Sequence, residues 1–134
     1  MFDLRKIING RMNVPEPDYL PVTEGESYTE GEALKLSDGK LTKAGATEKP
    51  MYIAAKTYAA PAENAELLPC FLIDKAMRFE APINVSSEVP AVGSKVTLDT
   101  DALGVTDTTE SGVATIIDTN GAAATGDKVV VIFE

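Results

Sequence analysis

Side chains that could act as nucleophiles, proton donors or metal ligands are few in this sequence. It contains one cysteine and no histidine, so the commonest general base and metal ligand is missing. Cys70 lies between Pro69 and Phe71 in an apolar run, which favours a buried, inert thiol over a nucleophile. The chain has no phosphate-binding glycine loop and no Gly-x-Ser-x-Gly turn. We therefore expect no catalytic residues.

Carboxylates are abundant but lack the spacing of a metal site. Asp99, Asp101 and Asp107 come closest to a calcium loop, yet the Asp-x-Asp-x-Asp-Gly spacing of such a loop is missing, because Leu103 stands where its third aspartate would be. We expect solvated turns there, no bound metal and no cofactor. These observations predict a protein that is not an enzyme.

The balance of charge limits the partners. Lysine and arginine number 12 against 21 acidic residues, a formal net charge of −9. Four glutamates are separated by two or four residues, which places them on the same side of a strand and suggests one exposed acidic face: Glu24, Glu26, Glu30 and Glu32. Nucleic acid and anionic membranes are poor partners for such a body.

Length and composition predict one domain with a core. The chain has 134 residues, of which 44% are hydrophobic, enough to bury a core without disulfides or metals. No apolar run approaches the roughly 20 residues that span a bilayer. The first ten residues do not have the pattern of a signal peptide.

The hydrophobic pattern from residue 23 onward is typical of strands. Short alternating or β-branched segments are separated by turn residues, as in the hairpin around Ser37, Asp38 and Gly39. We expect a mainly β fold, a small β-barrel or sandwich, over residues 23–134. Twelve side chains are predicted to fill its core: Leu34, Leu36, Leu41, Ile53, Phe71, Leu72, Val96, Leu98, Leu103, Val113, Val129 and Val131.

An internal repeat at a spacing of 62 residues relates 31–54 to 93–116. Gly31, Leu34 and Leu36 align with Gly93, Val96 and Leu98. Each copy has a glycine turn, an alternating strand, a polar turn and further apolar strands. Two generic hairpins could coincide in this way, but a true repeat predicts two similar β units closing one core.

Residues 1–22 differ from the rest and are predicted to form an extended N-terminal arm with a proline-rich spacer. Residues 1–11 carry three basic side chains against one acidic, whereas the remainder carries nine against twenty. The arm is either a frayed terminus or a segment that docks on a neighbouring subunit. Its candidate partner-binding residues are Phe2, Leu4, Arg5, Lys6, Ile7, Ile8 and Arg11.

Several segments resemble the head decoration (capsid cement) proteins of tailed phages. The resemblance covers 30–44 (EGEALKLSDGKLTKA), 49–54 (KPMYIA), 92–98 (VGSKVTL), 126–131 (GDKVVV) and the opening 4–12 (LRKIINGRM). It implies a small β-barrel, often trimeric, that binds the major capsid protein on the outside of an assembled head.

The resemblance leads to a functional expectation. The chain would be a structural virion protein of a phage or prophage, made in the bacterial cytoplasm, that stabilises the capsid. It would act as a homotrimer on the lattice and bind neither nucleic acid nor membrane. The alternative is a small β-barrel binding module for a peptide or carbohydrate, which requires an apolar cleft with converging polar groups.

Overall fold

The computed structural model describes residues 1–7 and 15–134, which form thirteen β-strands. No helix long and apolar enough to cross a membrane occurs in this part of the chain. The strands are β1 Asp3–Ile7, β2 Asp18–Leu20, β3 Ser27–Tyr28, β4 Ala33–Ser37, β5 Lys40–Lys43, β6 Tyr52–Ala54, β7 Tyr58–Ala59, β8 Leu68–Leu72, β9 Met77–Asn84, β10 Lys95–Val96, β11 Val105–Thr106, β12 Ala114–Asp118 and β13 Lys128–Ile132.

The strands form two principal sheets and one small ribbon. The larger sheet has the order β1-β9-β13-β12-β10, and β11 pairs with β9 in parallel. The smaller sheet has the order β2-β8-β6-β4-β5, and β3 pairs with β7. Isolated bridges outside these ladders pair Val22 with Leu41 and Leu98 with Val105. The prediction of a mainly β fold is confirmed, with two packed sheets rather than a closed barrel in the described residues.

Local sequence explains the β4–β5 hairpin. Asp38 and Gly39 both have positive φ, 51° and 78°, between the paired residues Ser37 and Lys40. Two consecutive positive φ values define the two-residue turn that matches the twist of a hairpin, and Asp-Gly adopts it readily. The turn fixes the register in which Leu36 pairs with Leu41.

Backbone pairing recurs at the 62-residue spacing. We call the strands from β2 to β8 the first unit and the strands from β9 to β13 the second unit. Ala33 pairs with Ile53 in the first unit, and Lys95 pairs with Thr115 in the second. The Gly31 N–H donates to the carbonyl of Ala54 at 2.8 Å, and the Gly93 N–H donates to that of Ile116 at 2.7 Å. Thus β4 and β6 correspond to β10 and β12.

Two hydrophobic clusters lie on opposite faces of the smaller sheet. Ala33 and Ile53 belong to the larger cluster, whereas their neighbours Leu34 and Ala54 belong to the smaller one. This alternation follows from the period of two along a strand. The larger cluster fills the space between the two sheets.

Most predicted core positions are buried. Seven are less than 5% exposed: Leu34, Leu41, Ile53, Val96, Leu98, Val129 and Val131. Four others are half-buried: Leu36, Phe71, Leu103 and Val113. The prediction is wrong for Leu72, which is the last residue of β8 and is 51% exposed.

The first seven residues are part of the fold, which corrects the predicted arm over this stretch. β1 pairs with β9, and Phe2 is only 2% exposed. Its ring meets those of Phe79 and Phe133 edge-on, with centroids 6.4 and 5.3 Å away. The Phe2 N–H donates to the carbonyl of Gly31 at 3.0 Å, so this segment joins both units. A sequence pattern does not reveal such a distant strand partner.

Candidate interaction surface

The outer face of the larger sheet combines aliphatic and cationic side chains. Along β9 the residues alternate between buried and half-buried, and Arg78 and Glu80 lie at half-buried positions. β13 alternates in the same way, with Val130 and Ile132 half-buried. Since successive residues point to opposite faces, these four side chains lie on the side away from the core.

The carboxylate of Glu80 lies close to two cations on this face. A guanidinium nitrogen of Arg5 lies 3.0 Å from Glu80 Oε1 and 3.1 Å from Asp3 Oδ2. Lys128 Nζ lies 3.7 Å from the same Glu80 oxygen. The carboxylates therefore compensate Arg5 and Lys128 within the molecule.

A second pair of cations is not compensated in this way. Lys6 pairs directly with Arg78 across β1 and β9, so the two side chains share a face. In the described residues no ion pair joins either one to a carboxylate, and residues 8–14 contain no acidic residue. Arg78 also lines a shallow depression with Lys75, Ala76, Ile132 and Glu134. This end of the face is locally cationic on an acidic protein.

The structure divides the predicted partner-binding residues of the arm. Phe2 is buried, and Leu4 and Ile7 pack against the larger cluster, so their apolar surface is used inside the molecule. Arg5 and Lys6 are exposed on the outer face. The two remaining predicted residues, Ile8 and Arg11, lie outside the described residues.

An apolar cleft lies where the N-terminal strand meets both units. It has a volume of about 180 Å³. Apolar side chains dominate its lining: Phe2, Leu4, Ile53, Phe71, Met77 and Phe79. Among the described residues that line it, Asp3 and Glu30 carry the charged side chains. Pockets for drug-sized ligands are larger, roughly 300–1,000 Å³.

Cys70 is buried and its thiol stays protonated. Burial raises the pKa of Cys70 to about 11, and the nearest polar contact of Sγ is the carbonyl oxygen of Asp18 at 3.6 Å. A thiol with a raised pKa is a poor nucleophile because little thiolate forms at neutral pH. The burial that its apolar neighbours indicated is confirmed.

Glu32 departs from the expected exposed acidic face. It is 2% exposed, and its Oε2 accepts the Thr29 N–H at 2.8 Å. Its Oε1 has no hydrogen-bond partner in the part of the chain that the structure describes. Burial raises the pKa of Glu32. Glu26 is also engaged, since it accepts bonds from Thr42 and from the Lys43 N–H.

Acidic residues in the turns act as local hydrogen-bond acceptors. The Asp107 carboxylate accepts the N–H groups of Ser86 and Ser87 at 2.8 and 2.7 Å, and these bonds lower its pKa. Asp99 and Asp101 accept N–H groups within their own turn. Within residues 1–7 and 15–134, no group of His, Cys, Asp or Glu side chains has the arrangement of a metal site.

Sequence reasoning missed β9 and with it the central residues of the surface. Met77, Phe79, Ala81 and Ile83 alternate with polar or small residues, which is the period-two signal of a strand. Pro82 in this segment obscures that signal. Even a correct strand prediction would not have paired Arg78 with Lys6.

The sequence matches no protein-family model and no curated protein.

Proposed function

We propose that this protein is a structural virion protein of a tailed phage or prophage that binds the outside of the assembled capsid. Its partner is the major capsid protein, and a homotrimer is the form that binds. The outer face of the larger sheet carries this proposal, because it groups cations and half-buried aliphatic side chains on a chain of net charge −9. Such a face is complementary to an acidic, partly apolar protein surface.

The mechanism of stabilisation is linkage. A protein that binds the assembled lattice and not its free subunits shifts the assembly equilibrium toward the lattice. A modest free energy at each copy is multiplied by the number of copies on one head. The function therefore needs a rigid surface of the right chemistry and no reacting group.

The junction cleft is the feature that favours the alternative, a binding module for a peptide or carbohydrate. Its aromatic lining suits an apolar or sugar-ring contact. However, its volume is small and Phe2 of the same chain already occupies the junction. The outer face is the better-supported site.

The direct test uses capsids of the phage that encodes the chain, assembled without this protein. We expect the purified protein to sediment with these capsids and to raise their melting temperature. A globular acidic protein of similar size serves as the control for nonspecific sedimentation. An absence of both effects, with binding to a peptide or glycan library instead, would replace this proposal by the alternative.

A further inference from the structure

We propose that the depression beside Ile132 is a docking site for a carboxylate-bearing segment of a partner protein. Lys75 and Arg78 line this depression, and Lys6 lies opposite Arg78 on the neighbouring strand. The identification of that partner as the capsid rests on the proposed function, whereas the site itself rests on the geometry below.

Cations surround an apolar centre at this end of the face. Lys75, Arg78 and Ile132 line one shallow depression, and Lys6 lies directly across from Arg78. Ile132 is half-buried at the end of β13. An incoming segment could place an apolar side chain on Ile132 and carboxylates on the surrounding cations. Arginine suits this role because its planar fork binds a carboxylate through two hydrogen bonds.

The two cation pairs on this face differ in whether carboxylates of the same molecule neutralise them. Arg5 and Lys128 are neutralised by Glu80, with Asp3 also close to Arg5. The Lys6–Arg78 pair sets like charges directly opposite each other, which destabilises a strand pair. In the part of the chain that the structure describes, Glu134 is the one carboxylate residue that lines this depression. A carboxylate from outside would relieve the repulsion that the fold leaves in place.

The overall charge selects a protein carboxylate over a polyanion. A net charge of −9 repels nucleic acid at long range, whereas a short acidic segment has to approach only the cationic end of the face. The half-buried Ile132 adds an apolar contact that a phosphate backbone does not use. A carboxylate-bearing protein segment fits both features.

The test is an NMR titration of the full chain with a short peptide of alternating glutamate and leucine. We expect amide shifts to concentrate at residues 75–78 and 131–134. The variant K6E/R78E should bind this peptide about tenfold more weakly, as expected when a charge pair at an interface is lost. The control K40E/K56E makes the same change of net charge at two exposed lysines of the first unit. It should bind nearly as the wild type does.

Further variants and a control peptide test the docking site and its occupant. K6Q/R78Q removes the charges without reversing them, and thermal melting verifies that each variant is folded. The peptide with glutamine in place of glutamate should not bind. Equal binding of the glutamine peptide, shifts elsewhere, or an unaffected K6E/R78E would overturn the site. Preferential binding of duplex DNA, or self-association of the protein alone that K6E/R78E abolishes, would overturn the proposed occupant.

Capsid sedimentation separates this inference from the proposed function. If the wild type binds capsids and K6E/R78E binds equally well, the docking site is wrong and the capsid function stands. If the wild type binds the acidic peptide through these residues but binds no capsid, the function is wrong and the docking site stands.

Discussion

The two β units share backbone pairing but differ in what fills them. In the second unit, Phe79 and Phe133 pack edge-on with a centroid distance of 5.6 Å. In the first unit, the largest buried side chain is Tyr28, whose hydroxyl donates to the Leu41 carbonyl at 2.6 Å and accepts the Thr23 N–H at 2.9 Å. One unit is held by aromatic packing, the other partly by a buried hydroxyl.

This difference shows which features define the repeat. The glycine pair Gly31 and Gly93 and the pairing of β4 with β6 and of β10 with β12 recur at the 62-residue spacing, while the turns and the core side chains differ. Hydrophobic cores tolerate such variation when volume and pattern are kept. The N-terminal strand then breaks the symmetry, since among the described strands β1 pairs with β9 of the second unit alone.

The largest expected effect comes from removing the aromatic ring that joins the units. Phe2→Ala should lower the free energy of unfolding by about 3–5 kcal/mol, because it empties a site between Phe79 and Phe133. Urea denaturation measures the change. The exposed Leu67 provides the matched control, and Leu67→Ala should stay within about 0.5 kcal/mol of wild type. Equal stability of both variants would mean that residues 2–7 form a detached arm after all.

A second comparison uses the equivalent glycines Gly31 and Gly93. Both have positive φ, 83° and 95°, so alanine at either position should cost about 1–2 kcal/mol in backbone strain. A Cβ at Gly93 meets open space, whereas one at Gly31 would overlap the Met1 side chain. We expect Gly31→Ala to lose roughly 1–3 kcal/mol more than Gly93→Ala in the same urea assay. Matching losses would contradict the close packing of the N-terminal residues on the first unit.

The smallest effect concerns Glu32, whose equivalent in the second unit is Ser94. Burial raises the pKa of Glu32 in the folded protein, which favours the protonated carboxyl there. The stability that this protonated form contributes is therefore fully present below the ordinary glutamate pKa of 4.5 and is lost as the pH rises through the raised pKa. Glu32→Gln keeps the shape without the charge, so its melting temperature should exceed that of wild type near neutral pH. The difference should shrink toward pH 4.

The exposed neighbour Glu30 tests whether this effect depends on burial. Glu30→Gln should follow the wild-type pH profile. A melting profile for Glu32→Gln that runs parallel to wild type across this pH range would show that Glu32 does not titrate abnormally.

Local patterns were sufficient for the mainly β fold class. Alternation around Leu34 and the Asp38-Gly39 turn depend on neighbouring residues, so a sequence reading finds them directly. The same holds for Cys70, whose apolar flanks correctly indicated burial. These features are determined by the alternation of apolar and polar residues along a strand and by the stereochemistry of turns, both of which depend on only a few neighbouring residues.

Only the tertiary structure decided the role of the first residues and the make-up of the outer face. Phe2 and Lys6 look like parts of a basic, apolar arm until β9 supplies their partners. Leu72 looks like core until the end of β8 leaves it exposed, and Glu32 looks like surface until it is buried. Strand partners far apart in the chain are chosen by the packing of the whole molecule, because each such pairing depends on surface that all the others bury.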